Sequence, residues 1–161
     1  MIFVETTKKL VLCVEPSHVQ AAEKILSHYD VPSSRSDQLN ITKDTFAALV
    51  HVAHKIESIE AAAVFGSVAD PSMSPSTDSD IDIVVKLNEY SESEAARTGF
   101  EFTERASRKI QKDIDITTVW EARNFKTSLN NKIPSETPIE TIKRQSILIK
   151  GDRATLFETP V

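Results

Sequence analysis

The sequence predicts an α/β (α+β) fold: a sheet flanked by helices. Three observations carry that expectation. Short apolar runs that suit strands alternate along the chain with segments of helical periodicity. The chain has 161 residues, of which 40% are hydrophobic, enough for one compact core. Its apolar run in "TKKLVLCVEP" is far too short to span a bilayer, and no coiled-coil pattern is present.

Taken in order, "KKLVLCVEP" predicts a first strand ended by Pro16. Ser17 and Gln20 then form a capping-box pattern that opens a helix over "SHVQAAEKILSHYD". "VPSSRSDQLN" reads as a polar loop. A second helix is expected from Thr42 to Glu57, because Phe46, Leu49, Val50, Ala53 and Ile56 fall on one helical face. "AAAVFGS" predicts a small apolar strand running into Gly66 and Ser67, followed by the Ser- and Pro-rich loop "VADPSMSPSTD". "SDIDIVVKL" is the next strand. Ser91 and Glu94 cap a third helix to about Gln111, with Glu101–Arg105 and Glu104–Arg108 pairs on its wet side. A strand "DIDITTVW", a polar and largely helical stretch through "ETIKRQ", and a last strand "SILIKG" complete the reading.

The net charge of -5 argues against non-specific affinity for nucleic acid or anionic membrane. Residues 1–119 hold 12 basic and 19 acidic side chains, against 7 and 5 in 120–161, so the C-terminal part is slightly positive. The single Cys13 has no internal disulfide partner, and no Cys/His cluster has zinc spacing. "MIFVETT" lacks the basic start of a secretory signal. A cytoplasmic protein is the expectation.

Two aspartates, Asp80 and Asp82, interrupt an apolar strand. Alternation puts both on one face, opposite Ile81, Ile83 and Val85. Close carboxylates repel unless a cation lies between them, and Mg²⁺ suits such a pair. A wet edge strand would also tolerate alternating Asp. Gly66 permits a tight turn and close backbone approach, after which amides can cradle phosphate; a simple turn glycine is the plain alternative. A second "DIDI" places Asp113 and Asp115 on a shared face, so parity alone does not choose between them.

The combination is more specific than its parts. A strand ending in Gly66-Ser67, twelve residues, and then Asp80-Ile81-Asp82-Ile83 resembles the signature of the DNA polymerase beta-like nucleotidyltransferase superfamily. It is closest to the minimal nucleotidyltransferases. By element order the resemblance covers residues 44 to 150. It implies the nucleotidyltransferase fold, with a mixed sheet, over residues 42–161. The first 41 residues form a strand–helix extension outside it, open to three roles: extending the sheet, homodimerisation, or binding a partner.

The resemblance also implies roles. Asp80, Asp82 and a third aspartate bind two Mg²⁺ ions. Gly66 and Ser67 hold the β and γ phosphates of a nucleoside triphosphate, expected to be ATP. Asp115 is favoured over Asp113 as the third, because it lies inside its strand and precedes "ITTV", much like the family's "DLVT". The reaction would be nucleotidyl transfer, AMP being the expected group, with two-metal assistance to an in-line displacement. The acceptor would be a hydroxyl, in relatives of this type on a HEPN-domain toxin partner. One departure stands out: "GSVADP" replaces the family's "GSRARG"-like run, removing an arginine and adding Asp70. A non-catalytic nucleotide-binding or interaction module that keeps the fold is the alternative this departure favours.

Other candidates have plainer readings. His51 and His54 are expected on a solvated helix face, since no third metal ligand is spaced with them. Ser72, Ser74, Ser76 and Thr77 read as a loop, with no nucleophile elbow. Lys143 and Arg144 read as an exposed helix end, and Trp120 as packing.

Overall fold

Residues 5–6, 9–10, 16–73, 79–124 and 138–158 are described by the structure, a computed structural model. Two short strands, β1 (Glu5–Thr6) and β2 (Lys9–Leu10), pair antiparallel. The expected single strand over 8–16 is therefore replaced at its start by this small pair, and residues 11–15 lie outside the described residues. Helix α1 (Pro16–His28) begins at Pro16, one residue before the expected cap. A proline is well suited to a first helical turn, where its missing N–H is not needed. The polar loop that follows contains a 3₁₀ turn, Ser33–Gln38.

Helix α2 (Lys43–Lys55) is capped by Thr42, whose side chain accepts from the Thr45 amide at 3.2 Å. Strand β3 (Ile59–Phe65) starts earlier than the alanine run alone suggested. It passes at Gly66 into a short 3₁₀ turn, Gly66–Ala69. Strand β4 (Ile81–Leu87) and helix α3 (Glu92–Ser107) follow, the helix capped by Ser91 accepting from the Glu94 amide at 3.1 Å. The expected Glu101–Arg105 and Glu104–Arg108 pairs form at 3.0 and 3.1 Å.

Strand β5 (Ile114–Thr118) is shorter than expected, because Val119 and Trp120 belong to helix α4 (Val119–Asn124). The cause is a capping box. Glu121 Oε2 accepts from the Thr118 amide at 2.9 Å, and Thr118 Oγ1 accepts from the Glu121 amide at 3.1 Å. Of the helical stretch expected next, residues 125–137 lie outside the described residues. Helix α5 (Pro138–Arg144) and strand β6 (Ser146–Lys150) agree with the reading. A last helix, α6 (Arg153–Phe157), was not expected; Asp152 caps it by accepting from the Thr155 amide at 2.8 Å.

The main sheet is mixed, in the order β5-β4-β3-β6. β3 runs antiparallel to β4 and β6, while β4 and β5 are parallel. Strand alternation divides the core between two faces. Ala62 and Val64 of β3, with Ile81, Ile83, Val85 and Leu87 of β4, pack against Leu26 of α1, the apolar stripe of α2, and Phe102 and Ala106 of α3. On the other face Ala61, Ala63 and Val84 meet Val119, Ala122, Ile142, Leu156 and Phe157 of the three C-terminal helices. Leu39 and Val31, from the segment before α2, belong to the first of these clusters.

Candidate active site

One end of the sheet gathers the residues singled out above. β3 ends where β4 begins, with Phe65 opposite Asp82, so Gly66 follows directly beside that aspartate. The parallel pairing then sets Asp82 opposite Asp115. Asp80 precedes the strand rather than lying inside it, since β4 starts at Ile81. It is exposed, and so is Asp115, whereas Asp82 is half-buried. Asp113 is also exposed and precedes β5; its carbonyl accepts from the Ile81 amide at 2.9 Å.

These carboxylates feel one another. Burial, and then the Asp115 and Asp80 charges, push the Asp82 carboxyl above its ordinary pKa. Asp82 is thus an acidic group held where negative charge is disfavoured, flanked by two more of the same sign. An all-carboxylate oxygen set is the donor chemistry that suits a hard divalent cation, which would remove that repulsion. Among the described residues, no three His, Cys, Asp or Glu side chains are drawn together as one cation-holding group. The aspartates form a row across the neighbouring strands β4 and β5, not a closed cage.

Gly66 is required by this packing. Its φ is +75°, a region that L side chains rarely adopt, and a β-carbon there would run into Asp82 Oδ2. Glycine lets the turn backbone lie against the acidic row. Ser67 follows, half-buried.

The departure "GSVADP" has a local structural explanation. Asp70 Oδ1 accepts from the Ser72 hydroxyl at 2.7 Å and from the Ser72 amide at 2.9 Å. These bonds hold its carboxyl below the usual carboxylate range. Asp70 is therefore a turn-forming residue. Ser72 is its partner; Ser74, Ser76 and Thr77 lie outside the described residues.

The remaining candidates settle away from the aspartates or into packing. Trp120 stacks on Tyr90 with ring centroids 4.5 Å apart, beyond the opposite end of β5 from Asp115, as the packing reading expected. His51 and His54 are less solvated than expected. Tyr29 Oη and His51 Nδ1 share a 3.0 Å hydrogen bond, and the Tyr29 ring stacks on His54 with centroids 4.2 Å apart. Lys143 and Arg144 are exposed at the end of α5.

Sequence reasoning missed Asn40. Its side-chain nitrogen lies 3.3 Å from Ser67 O and 3.2 Å from Asp70 O, both in the glycine turn's loop. No motif connects it to residues almost thirty positions away, and only the fold brings them together.

The mixed sheet thus sets an acidic row beside a glycine turn at one end of its central strands. Residues 48–148, more than half of the chain, match the family described as "Polymerase beta, Nucleotidyltransferase". The chain belongs to that family and carries its nucleotidyltransferase domain, a chemistry for which the family generally uses divalent metal ions. No curated protein matches the chain in sequence. The solved structures it matches include the following toxin–antitoxin assemblies. A crystal structure of the toxin–antitoxin MntA–HepT is 15% identical, with a TM-score of 0.45, covering 71% of this chain and 76% of that one. A tri-AMPylated Shewanella oneidensis HEPN toxin in complex with MNT antitoxin is 15% identical, with a TM-score of 0.44, covering 69% and 73%. A toxin–antitoxin with AMP-PNP is 16% identical, with a TM-score of 0.45, covering 71% and 77%. Among the described residues no helix is long and apolar enough to cross a membrane.

Proposed function

We propose that this chain moves a nucleoside monophosphate, AMP, from ATP to a hydroxyl of a protein partner. Asp80, Asp82 and Asp115 hold two Mg²⁺ ions, and Gly66 and Ser67 hold the triphosphate tail. The observation that carries the reading is the aspartate row itself. A half-buried Asp82, opposed by Asp115 and preceded by Asp80 two residues earlier, is costly without a cation. Asp115 rather than Asp113 completes the set, since it is the residue opposite Asp82.

When bound, the ions would screen the charge that develops on the attacking and leaving oxygens of the in-line displacement. The protein's own work is positional. The aspartates fix where positive charge sits, and the Gly66 turn brings backbone within reach of that point. Ser67 offers a hydroxyl donor to a phosphate oxygen. The exposure of Asp80 and Asp115 leaves the row open to the surface of an acceptor as large as a protein. The HEPN-type partner follows from the sequence resemblance to minimal nucleotidyltransferases.

The test is intact-mass spectrometry after incubation with ATP, Mg²⁺ and a helical HEPN-domain candidate partner. The partner should gain the mass of one or more AMP groups, and the gain should vanish with EDTA. The absence of a gain on every candidate, with ATP still bound, favours the second reading: a nucleotide-binding or interaction module without turnover. The loss of the "GSRARG"-like arginine is the observation on its side.

A further inference from the structure

Asn40 makes an unusual set of contacts with one loop. Its backbone amide donates to Val68 O at 2.9 Å. Its side-chain Nδ2 lies 3.3 Å from Ser67 O, 3.2 Å from Asp70 O and 3.4 Å from Met73 O. One amide nitrogen has only two hydrogens, so these three carbonyls share them. Four carbonyls of the loop that begins at Gly66 thus converge on a single residue from outside it.

Asn40 is itself firmly placed. Leu39 before it is buried in the main core, and Ile41 after it packs against that core. Thr42 caps α2. Within the preceding 3₁₀ turn, Arg35 donates to Leu148 O of β6 at 3.4 Å. The segment is therefore anchored to the sheet and to α2 on either side of the asparagine.

The geometry has a directional consequence. In a trans peptide the carbonyl of one residue and the N–H of the next point oppositely. With the Ser67 and Val68 carbonyls turned toward Asn40, the Val68 and Ala69 amides face away from it. Together with Gly66 against Asp82, this fixes the conformation from which the turn meets a ligand.

We propose that Asn40 is a positioning residue for the triphosphate of the nucleotide, and that the segment before α2 thereby takes part in nucleotide binding. The inference rests on the reading of Gly66 and Ser67 as the phosphate turn. It gives the N-terminal extension a role in the site: the extension shapes the loop that begins at Gly66. The ligand class is a nucleoside 5′-triphosphate, recognised through its terminal phosphates. Metal binding by the aspartates should not depend on Asn40.

The test compares Asn40→Asp, Asn40→Ala and Asn40→Gln in the full chain. Asn40→Asp keeps the size and removes both donors, Asn40→Ala removes the group without adding charge, and Asn40→Gln keeps the amide on a longer arm. Mg²⁺–ATP affinity is measured by calorimetry, Mn²⁺ affinity by electron paramagnetic resonance without nucleotide, and folding by thermal melting. The expected result is ATP affinity weakened about tenfold in Asn40→Asp and Asn40→Ala, the scale of one good hydrogen bond, with partial recovery in Asn40→Gln. Mn²⁺ affinity should stay within twofold of the parent chain. Unchanged ATP affinity in both disruptive variants overturns the proposal. So does a parallel loss of ATP and Mn²⁺ affinity, which marks a general structural role. A parent chain that binds Mn²⁺ but no Mg²⁺–ATP overturns the phosphate-turn reading and this inference with it.

Discussion

Asp82 and Asp115 stand opposite each other across the parallel β4–β5 pair, the one half-buried and the other exposed. Their charges oppose one another, and burial of Asp82 adds to the cost. Removing that charge should therefore relieve strain in the metal-free protein while abolishing function. Asp82→Asn is expected to raise the melting temperature at pH 7 in EDTA. Added Mg²⁺ should raise the melting temperature of the parent chain and leave that of the variant unchanged. An unchanged or lower melting temperature in the metal-free variant contradicts the repulsion argument. This is the trade of stability for function found at many active sites.

The choice between the two aspartates of the second "DIDI" is open to direct trial. Asp115→Asn should lower nucleotidyl transfer by about 100-fold or more, the scale of losing one preorganised electrostatic contact. Asp113→Asn should leave transfer within about threefold, since its carbonyl, not its carboxylate, joins the sheet ladder. Initial rates with one partner protein decide it, and a reversed ranking overturns the assignment.

Gly66 and Asp82 should behave as one unit. Gly66→Ala forces a side chain into a left-handed conformation and against Asp82 Oδ2. The conformational part alone costs about 1–2 kcal/mol. Combining it with Asp82→Ala removes the collision but not the backbone strain. Denaturant melts of the two singles and the double should then show a coupling of about 0.5–3 kcal/mol, with the double less destabilised than the sum. Simple additivity would mean that the two residues do not meet.

Helix α1 is joined to α2 by an aromatic cluster whose charge state matters. Burial, then nearby positive charge, lowers the pKa of His51; burial likewise lowers that of His54, against the opposing effect of its hydrogen bond to Val50 O. Both imidazoles are neutral in the fold at pH 7. The unfolded chain takes up protons first, near its ordinary pKa of about 6.5. Stability should be full above that value and fall as pH drops below it toward the folded pKa values. Melting curves between pH 7.5 and 5.5 test this; the slope should flatten in His51→Gln with His54→Gln.

How much of this was legible in the sequence follows from what kind of force sets each feature. The cap at Ser91 and the pairs along α3 are local, and local spacing revealed them. The order of strands and helices, and the glycine–aspartate spacing, were equally plain. Boundaries were harder where two signals overlap. Val119 and Trp120 look like strand residues, yet the Thr118–Glu121 capping box turns them into a helix. The same box was readable in "TVWE" but was hidden by the apolar run. The Asp152 cap of α6 was readable in the same way, just past a strand already assigned. Asn40 was not readable at all. Its partners are set by the tertiary fold, and an asparagine in a polar loop carries no signal of its own.

The most direct test of the central claim is calorimetric titration of the full chain with ATP. In Mg²⁺ the parent chain should bind one ATP per chain. Binding should be lost in EDTA, and lost equally in the Asp80→Ala, Asp82→Ala double variant with Mg²⁺ present and the fold retained. Equal ATP affinity in EDTA, or in the double variant, would contradict a metal site built on these aspartates.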